Sequence, residues 1–292
     1  MILAAGLTPA WQQILSFDRL TTGEVNRARE SLWCGSGKVL NVGAALHHLQ
    51  ADSLTLCPIG GSTGTQIKDD FTRRGIAARW LSIAASTRVC TTLLDEATGT
   101  TTELVENSSP LTELELNHYI EAFAEESRAA KVVVLSGSLP KQTPHDFYRS
   151  LLERTTASAI MDVRGQELVE CLPLQPLLVK PNREELAMTV GRPLKTESAV
   201  IEAMAEVRQL GAQWVIVSGG PDPLLVLGPR GLERIVPPSV RVVNPIGCGD
   251  SLTAAIAAKI SSGSEPLDAI RFGVEYAARK AAILYPVLQP EK

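Results

Sequence analysis

The chain has 292 residues, 45% of them hydrophobic, and a formal net charge of −4. The chain is long enough for one large α/β domain, or for a core domain with a small appendage, and its apolar content allows a sizeable core. The weak negative charge does not suggest a nucleic-acid or membrane-surface partner. The five cysteines are scattered without a Cys-x-x-Cys pair, which indicates neither a disulfide framework nor a zinc site and favours a cytoplasmic location. Residues 1–7 are apolar but lack a basic region, so they predict a first buried strand rather than a signal peptide.

The first 110 residues contain strand-like segments interrupted by turn residues. Strands are predicted over Ser16–Arg29 and Arg88–Glu106, and a helix over Ser36–Gln50 lies between them. We therefore expect a small β-sheet formed by two excursions, about 12–33 and 86–107, beside the main sheet. A sheet at the mouth of an α/β crevice would serve as a lid.

From about residue 130, short apolar runs alternate with amphipathic stretches. Strands are predicted at 131–135, 159–163, 177–180 and 214–217. Helices are predicted after Pro144 and at 197–210, 250–259 and 267–284; in the helix 197–210, Val200, Met204, Val207 and Leu210 fall on one face. This alternation predicts a parallel sheet with helices on both faces, in a single domain spanning 1–292.

In the segment Val242–Ser251, an apolar stretch leads into a glycine loop, and a helix is predicted to start at once. The free N–H groups and the dipole of a helix start attract anions, and glycines let the backbone approach a phosphate closely. Asp250, in the first turn, is placed to accept a proton from a substrate hydroxyl. An ordinary helix start, where acidic residues are favoured, explains the same residues.

A second segment, Val179–Leu186, follows a predicted strand and opens a helix. Asn182 and Glu185 are three residues apart and share one helical face or its rim. A carboxylate there can hold Mg²⁺ through water, because Mg²⁺ keeps much of its hydration shell. A capping box, with Asn182 as the cap and Glu185 reaching back, is the alternative interpretation.

Two further strands end in small residues. The strand in Val215–Gly220 ends in Ser-Gly-Gly, and Ser136–Pro140 follows another strand. The carboxyl ends of parallel strands share one edge, where nucleotides bind in open α/β sheets. For Val215–Gly220, a plain turn is an equally good interpretation.

The segment Cys34–Val42 contains a glycine-rich loop followed by a predicted helix. It is not a Walker A loop, because the spacing differs and no Ser or Thr follows Lys38. It is either a substrate loop, in which Lys38 and Asn41 face an anionic or hydroxylated ligand, or an ordinary surface helix start.

Five motifs in order resemble the ribokinase-like PfkB sugar kinases over nearly the whole chain. They are Gly-x-Gly-Lys-x-x-Asn-Val, Ser-Gly-Ser-Leu-Pro, Lys-Pro-Asn-x-x-Glu, Val-Ser-x-Gly and Gly-x-Gly-Asp-Ser. The segments Leu7–Ala10, Gly23–Asn26, Thr87–Cys90 and Lys180–Leu186 are most similar to the branch of 1-phosphofructokinase and tagatose-6-phosphate kinase. The resemblance implies a three-layer α/β sandwich with a mainly parallel central sheet and a small β-sheet lid.

The resemblance also implies an activity, namely transfer of the γ-phosphoryl group of ATP, with Mg²⁺, to a hydroxyl of a sugar phosphate. Asp250 would be the general base, and the amides of Gly247, Cys248 and Gly249 would form an anion hole. The nucleotide would be bound by Asn182, Glu185, Ser218 and Gly220, with Glu185 holding Mg²⁺ through water. The acceptor would be held by Lys38, Asn41, Arg88 and Gln12, with Arg27 as a further candidate.

The chain departs from that branch where an aspartate normally grips sugar hydroxyls. Gln12 stands there and is neutral, which favours a different acceptor or a weaker activity. Thr8, Val39 and Pro223 replace an asparagine and two glycines of the branch. Two alternatives therefore stay open: a kinase for an unphosphorylated sugar or nucleoside, and a non-catalytic sugar- or nucleotide-binding sensor. Exposed lid edges favour a homodimer.

Overall fold

The structure, a computed structural model, describes residues 1–220 and 222–288. Its strands are β1 (Ile2–Ala5), β2 (Ala10–Phe17), β3 (Glu30–Ser36), β4 (Ser53–Ile59), β5 (Ala78–Ser82), β6 (Val89–Asp95), β7 (Thr100–Val105), β8 (Val132–Ser136), β9 (Ser158–Asp162), β10 (Leu178–Val179), β11 (Trp214–Gly219), β12 (Asp222–Gly228) and β13 (Gly231–Ile235). Its α-helices are α1 (Lys38–His48), α2 (Gly61–Arg73), α3 (Glu113–Glu126), α4 (Phe147–Leu152), α5 (Gln166–Cys171), α6 (Arg183–Val190), α7 (Glu197–Gln209), α8 (Cys248–Ser261) and α9 (Pro266–Ala281).

The central sheet has the strand order β13-β12-β11-β10-β9-β8-β1-β4-β5. The strands from β11 to β5 are parallel to their neighbours, and only β12 and β13 at one edge are antiparallel. Ile2 and Ala4 point into the core under α1, α2, α8 and α9, whereas Leu3 and Ala5 point into the core under α3 to α7. Burial on both faces explains the continuous apolar runs of these strands. The predicted three-layer fold class is confirmed.

A separate four-stranded sheet has the order β3-β2-β6-β7. Its outer pairs are antiparallel, and β2 and β6 run parallel in its centre. The strand predicted over Ser16–Arg29 is wrong, since only its first two residues belong to β2. In the loop that follows, the Asn26 side chain accepts from Thr21 N at 2.8 Å and donates to Thr21 O at 2.8 Å. These local hydrogen bonds replace a strand ladder.

One predicted core position is also wrong. Val200, Met204 and Val207 of α7 are buried as expected, but Leu210 is 54% exposed. The helix ends at Gln209, so Leu210 lies beyond the last turn that packs on the sheet. Within the described ranges, no helix is both long and apolar enough to cross a bilayer.

Candidate active site

The candidate site lies at the carboxyl edge of the central sheet. Asp162 ends β9, Lys180 directly follows β10, and Ser218 is the penultimate residue of β11. An isolated parallel bridge joins Ser218 to Asn182, so the Val-Ser-x-Gly and Lys-Pro-Asn-x-x-Glu motifs are neighbours in space. Strands that are distant in sequence thus bring their terminal residues to one edge, as expected for a parallel sheet.

Asp250 and Asn41 meet at the helix starts that face this edge. The Asn41 side chain donates from Nδ2 to Asp250 Oδ2 at 2.7 Å, and Ser36 Oγ donates to Asn41 Oδ1 at 3.0 Å. Burial, followed by the negative charge of Asp162, raises the pKa of Asp250 to about 6. Asp250 is therefore ionised at neutral pH and is a stronger base than an ordinary aspartate, with Oδ1 left for a ligand.

Lys38, Lys180 and two carboxylates form a buried charge network beside Asp250. Lys38 Nζ lies 2.9 Å from Asp162 Oδ1 and 3.0 Å from Glu185 Oε1, and Lys180 Nζ lies 3.3 Å from Asp162 Oδ2. Burial favours the protonated form of Asp162, but the two ammonium groups outweigh it and lower its pKa. Burial likewise favours neutral Lys38, but Asp162 and then Glu185 raise its pKa. Lys38 is thus charged, and the side chains of both lysines converge on Asp162 at the candidate site.

Asp162 and Lys180 were not among the predicted site residues. Lys180 belongs to the Lys-Pro-Asn-x-x-Glu motif, and its conformation explains why the motif includes a lysine. A Cβ atom added to Gly249 would lie 3.4 Å from Lys180 Nζ, so the ammonium lies beside the start of α8. The only sequence signal for Asp162 was its position at the end of a predicted strand.

The start of α8 has the geometry expected of an anion-binding turn. Its N-cap, Gly247, has φ +84°, which favours glycine, and an added Cβ would lie 2.0 Å from Pro286 O. Gly247, Cys248 and Gly249 are half-buried, so their backbone remains within reach of a ligand. Burial raises the pKa of the Cys248 thiol, so this side chain is not a ready nucleophile.

Asn182 and Glu185 form the capping box that was the alternative interpretation. Glu185 N donates to Asn182 Oδ1 at 2.8 Å, and Asn182 N donates to Glu185 Oε2 at 3.0 Å. The capping box uses only one carboxylate oxygen of Glu185, because the other, Oε1, accepts a hydrogen bond from Lys38 at the candidate site. One residue therefore caps α6 and joins the charge network.

The remaining predicted acceptor-binding residues differ in their hydrogen-bond partners and in their burial. Arg88 donates to the backbone carbonyls of Thr8 and Glu106 at 3.1 Å each and of Pro9 at 3.3 Å, so much of its guanidinium holds the smaller sheet in place. Gln12 is buried and donates to Thr92 Oγ1 at 2.9 Å, which leaves its amide oxygen as the free polar atom. Arg27 is exposed in the loop after β2.

The remaining predicted nucleotide contact, Gly220, is exposed just beyond β11 with φ +66°. Pro223, which replaces a glycine of the branch, is exposed in β12. The strand edge predicted to bind the nucleotide is thus open to solvent on this side. An aspartate beside two lysines, a glycine-lined helix start and an open strand edge are the features expected of an α/β phosphotransferase.

Comparison with known proteins identifies the family to which the chain belongs. The profile of the pfkB family carbohydrate kinases matches residues 13–282, so the chain belongs to this family and is a carbohydrate kinase. It is 28% identical over 279 residues to 1-phosphofructokinase of Bacillus subtilis strain 168, covering 94% of this chain and 90% of that protein. The predicted family and enzyme class are confirmed.

Solved structures agree with the fold. Phosphofructokinase-2 of Escherichia coli in complex with fructose-6-phosphate is 26% identical with a TM-score of 0.86, covering 96% of this chain and 94% of that one. A possible 1-phosphofructokinase of Thermotoga maritima is 21% identical with a TM-score of 0.89, covering 99% and 94%. Because its identity is only 21%, the Thermotoga maritima structure supports the fold alone.

Proposed function

We propose that this carbohydrate kinase transfers the γ-phosphoryl group of MgATP to a hydroxyl of a sugar phosphate. The observation that carries the proposal is the buried Asp250, held by Asn41 at 2.7 Å, at the glycine-lined start of α8. Likeness to 1-phosphofructokinase and to a phosphofructokinase-2 bound to fructose-6-phosphate supports a phosphorylated acceptor.

The transfer is a single displacement in this proposal. Asp250 accepts the proton of the acceptor hydroxyl while the new O–P bond forms and the bond from the γ-phosphorus to the bridging oxygen of ATP breaks. ADP is the leaving group. Asn41 keeps Asp250 oriented, so Oδ1 is the atom that receives the proton.

Negative charge on the transferred group is stabilised by the start of α8 and by lysines. The amides of Gly247, Cys248 and Gly249 supply donors that are fixed before the reaction, and Lys180 adds a positive charge beside Gly249. The ammonium of Lys38 is held by ion pairs with Asp162 and Glu185. Asn182, Ser218 and Gly220 line the open strand edge that would bind the nucleotide.

Magnesium enters this reaction with ATP. Among the described residues, no group of three or more His, Cys, Asp or Glu side chains could hold a metal ion. Both oxygens of Glu185 already accept protein hydrogen bonds, which fits an ion held through water rather than directly. Bound in this way, Mg²⁺ would neutralise phosphate charge and orient the leaving group.

The smaller sheet is the lid in this proposal. Arg88 links it to the turn after β1, and Gln12 lies on it with its amide oxygen available to an acceptor hydroxyl. Closure of the sheet over the acceptor would exclude water and suppress hydrolysis of ATP. Its exposed Trp33, Leu104 and Val105 favour pairing of two lids in a homodimer.

A coupled assay for ADP production tests the proposal. The acceptors are fructose 1-phosphate, tagatose 6-phosphate, fructose 6-phosphate, fructose and ribose, each with MgATP. We expect turnover that depends on one phosphorylated ketohexose. Turnover with a neutral sugar alone would overturn the phosphate-binding part of the proposal, and folded protein without turnover on any acceptor would overturn this choice of substrate.

A further inference from the structure

A lysine outside the charge network is fully buried behind the start of α8. Lys280, in the last turn of α9, is 0% exposed, and its Nζ donates to Asn244 O at 2.6 Å. Among residues 1–220 and 222–288, no carboxylate forms an ion pair with it. A buried ammonium without a carboxylate partner destabilises a fold, so it calls for a functional explanation.

The segment that Lys280 contacts is the segment that precedes the anion hole. Asn244 is fully buried, accepts from Ile246 N at 2.9 Å and donates from Nδ2 to Leu284 O at 2.7 Å. Val243 N and Asn244 N both donate to Ala281 O, at 2.8 and 3.2 Å. The segment that precedes the start of α8 is therefore hydrogen-bonded to the end of α9 and the residues after it, and the Lys280 ammonium is one of these contacts.

The same attachment reaches the anion hole itself. Pro286 O occupies the space where a Cβ of Gly247 would lie, so the chain after α9 packs directly against the N-cap of α8. The loop, the α9 end and the α8 start form one packed unit. A displacement of Asn244 would be transmitted within three residues to Gly247.

We infer that Lys280 is a positioning residue for phosphoryl transfer, a tethered cation that fixes the loop carrying the anion hole and adds positive charge behind it. This inference rests on the proposed role of residues 247–249. Burial lowers the pKa of Lys280 to about 8, and the neighbouring residues Cys248, Asp250 and Cys34 oppose this shift. The ammonium therefore remains mostly protonated at neutral pH, although this charge costs stability.

A tethered cation differs from a structural contact in two measurable ways. Removal of the ammonium should lower kcat while the KM values for ATP and acceptor change little, because the donors act on charge that develops in the transition state. A small free cation should restore activity when the side chain is shortened, since it can occupy the space that the ammonium leaves.

The test compares Lys280→Ala and Lys280→Met with wild type, and uses Arg279→Met as control because Arg279 is the exposed cation beside Lys280. We expect kcat to fall about 10²-fold in both Lys280 variants and to be unchanged in the control. Ammonium or methylammonium chloride should restore Lys280→Ala, whereas sodium chloride at equal ionic strength should not. Lys280→Met should resist rescue and unfold at or above the wild-type temperature, because it removes a buried charge.

Two results would overturn the inference. One is wild-type kcat in Lys280→Met; the other is loss of activity that no ammonium ion restores in Lys280→Ala, together with a lower unfolding temperature in Lys280→Met. Asp250→Asn is assayed in parallel. An active Asp250→Asn variant would reject the proposed site itself, whereas an inactive one beside a fully active Lys280→Met would reject only the role of Lys280.

Discussion

At the scale of single residues, we expect Asp250, the proposed base, to set the pH dependence of the rate. Its folded-state pKa of about 6 lies above the ordinary value of 3.8, and the base must be ionised to act. We therefore expect kcat/KM to fall about tenfold per pH unit below pH 6 and to be level just above it. A rate profile with its acid limb near pH 4 would contradict the pKa of Asp250.

The same shift has a consequence for stability. A carboxyl group whose pKa is raised on folding binds its proton more tightly in the folded state, so ionised Asp250 lowers stability as pH rises from about 4 to 6. At pH 7 that cost is fully present. Replacement by asparagine removes it, so loss of activity in Asp250→Asn should not be accompanied by a lower unfolding temperature.

Gln12 is the residue that most separates this chain from the branch it resembles. We expect Gln12→Ala to raise the KM for the acceptor about fivefold, the equivalent of about 1 kcal/mol for one neutral hydrogen bond, with an unchanged KM for ATP. Gln13→Ala is the matched control, because Gln13 points to the other face of β2. Equal KM values in both variants would exclude Gln12 from the acceptor site.

The sequence motifs identified some of the residues that meet at the candidate site but not all of them. The pair Asn41 and Asp250 lies in two separate motifs, and the structure joins them at 2.7 Å. Asp162 has no motif, because its effect depends on Lys38 and Lys180, which reach it from distant parts of the chain. The sequence suggested that Arg88 has a role, but it could not identify the partners of Arg88. These partners are backbone carbonyls, which every residue carries, so no residue type marks them.

At the scale of elements, the start of α8 depends on Gly247. Alanine there meets both a left-handed backbone and Pro286 O at 2.0 Å, so we expect a loss of about 3–5 kcal/mol in the free energy of unfolding. Gly263, after the other end of α8, has φ +90° with open space around it. Gly263→Ala should therefore cost only about 1–2 kcal/mol.

Chemical denaturation of the two glycine variants measures this difference. Equal losses would mean that the contact with Pro286 does not matter. The expected inequality would show that the turn before Cys248 is held by the chain after α9, which is the packing on which the role of Lys280 depends.

Helices and buried strands were predictable because their patterns are periodic. The central strands carry unbroken apolar runs, and α7 repeats its buried residues every three or four positions. The loop after β2 was not predictable in this way, because Asn26 satisfies the backbone of Thr21 locally. Its sequence resembles a strand, but side-chain hydrogen bonds decide its conformation.

At the scale of the whole molecule, the smaller sheet is expected to close on the acceptor. Amide hydrogen exchange in β7 and the loop at 18–29 should slow when a sugar phosphate and a non-hydrolysable ATP analogue are added together. Exchange in β13, at the far edge of the central sheet, should not change. Unchanged exchange in the smaller sheet would argue against its role as a lid.

The two packed faces of the central sheet explain how the candidate site is held together. The cores on both faces fix β9, β10 and β11 rigidly, and the residues at their ends need no loop movement to meet. The helix starts of α1 and α8 then bring Asn41 and Asp250 to the same edge. The candidate site is thus supported by packed strands on the sheet side, and the smaller sheet is the proposed moving part.

The most direct test of the account is the turnover of Asp250→Asn with MgATP and the best phosphorylated acceptor. We predict a fall in kcat of about 10³-fold with an unfolding temperature no lower than wild type, because the variant removes the proton acceptor and keeps the fold. A folded Asp250→Asn variant that turns over at nearly the wild-type rate would contradict the assignment of Asp250 as the base.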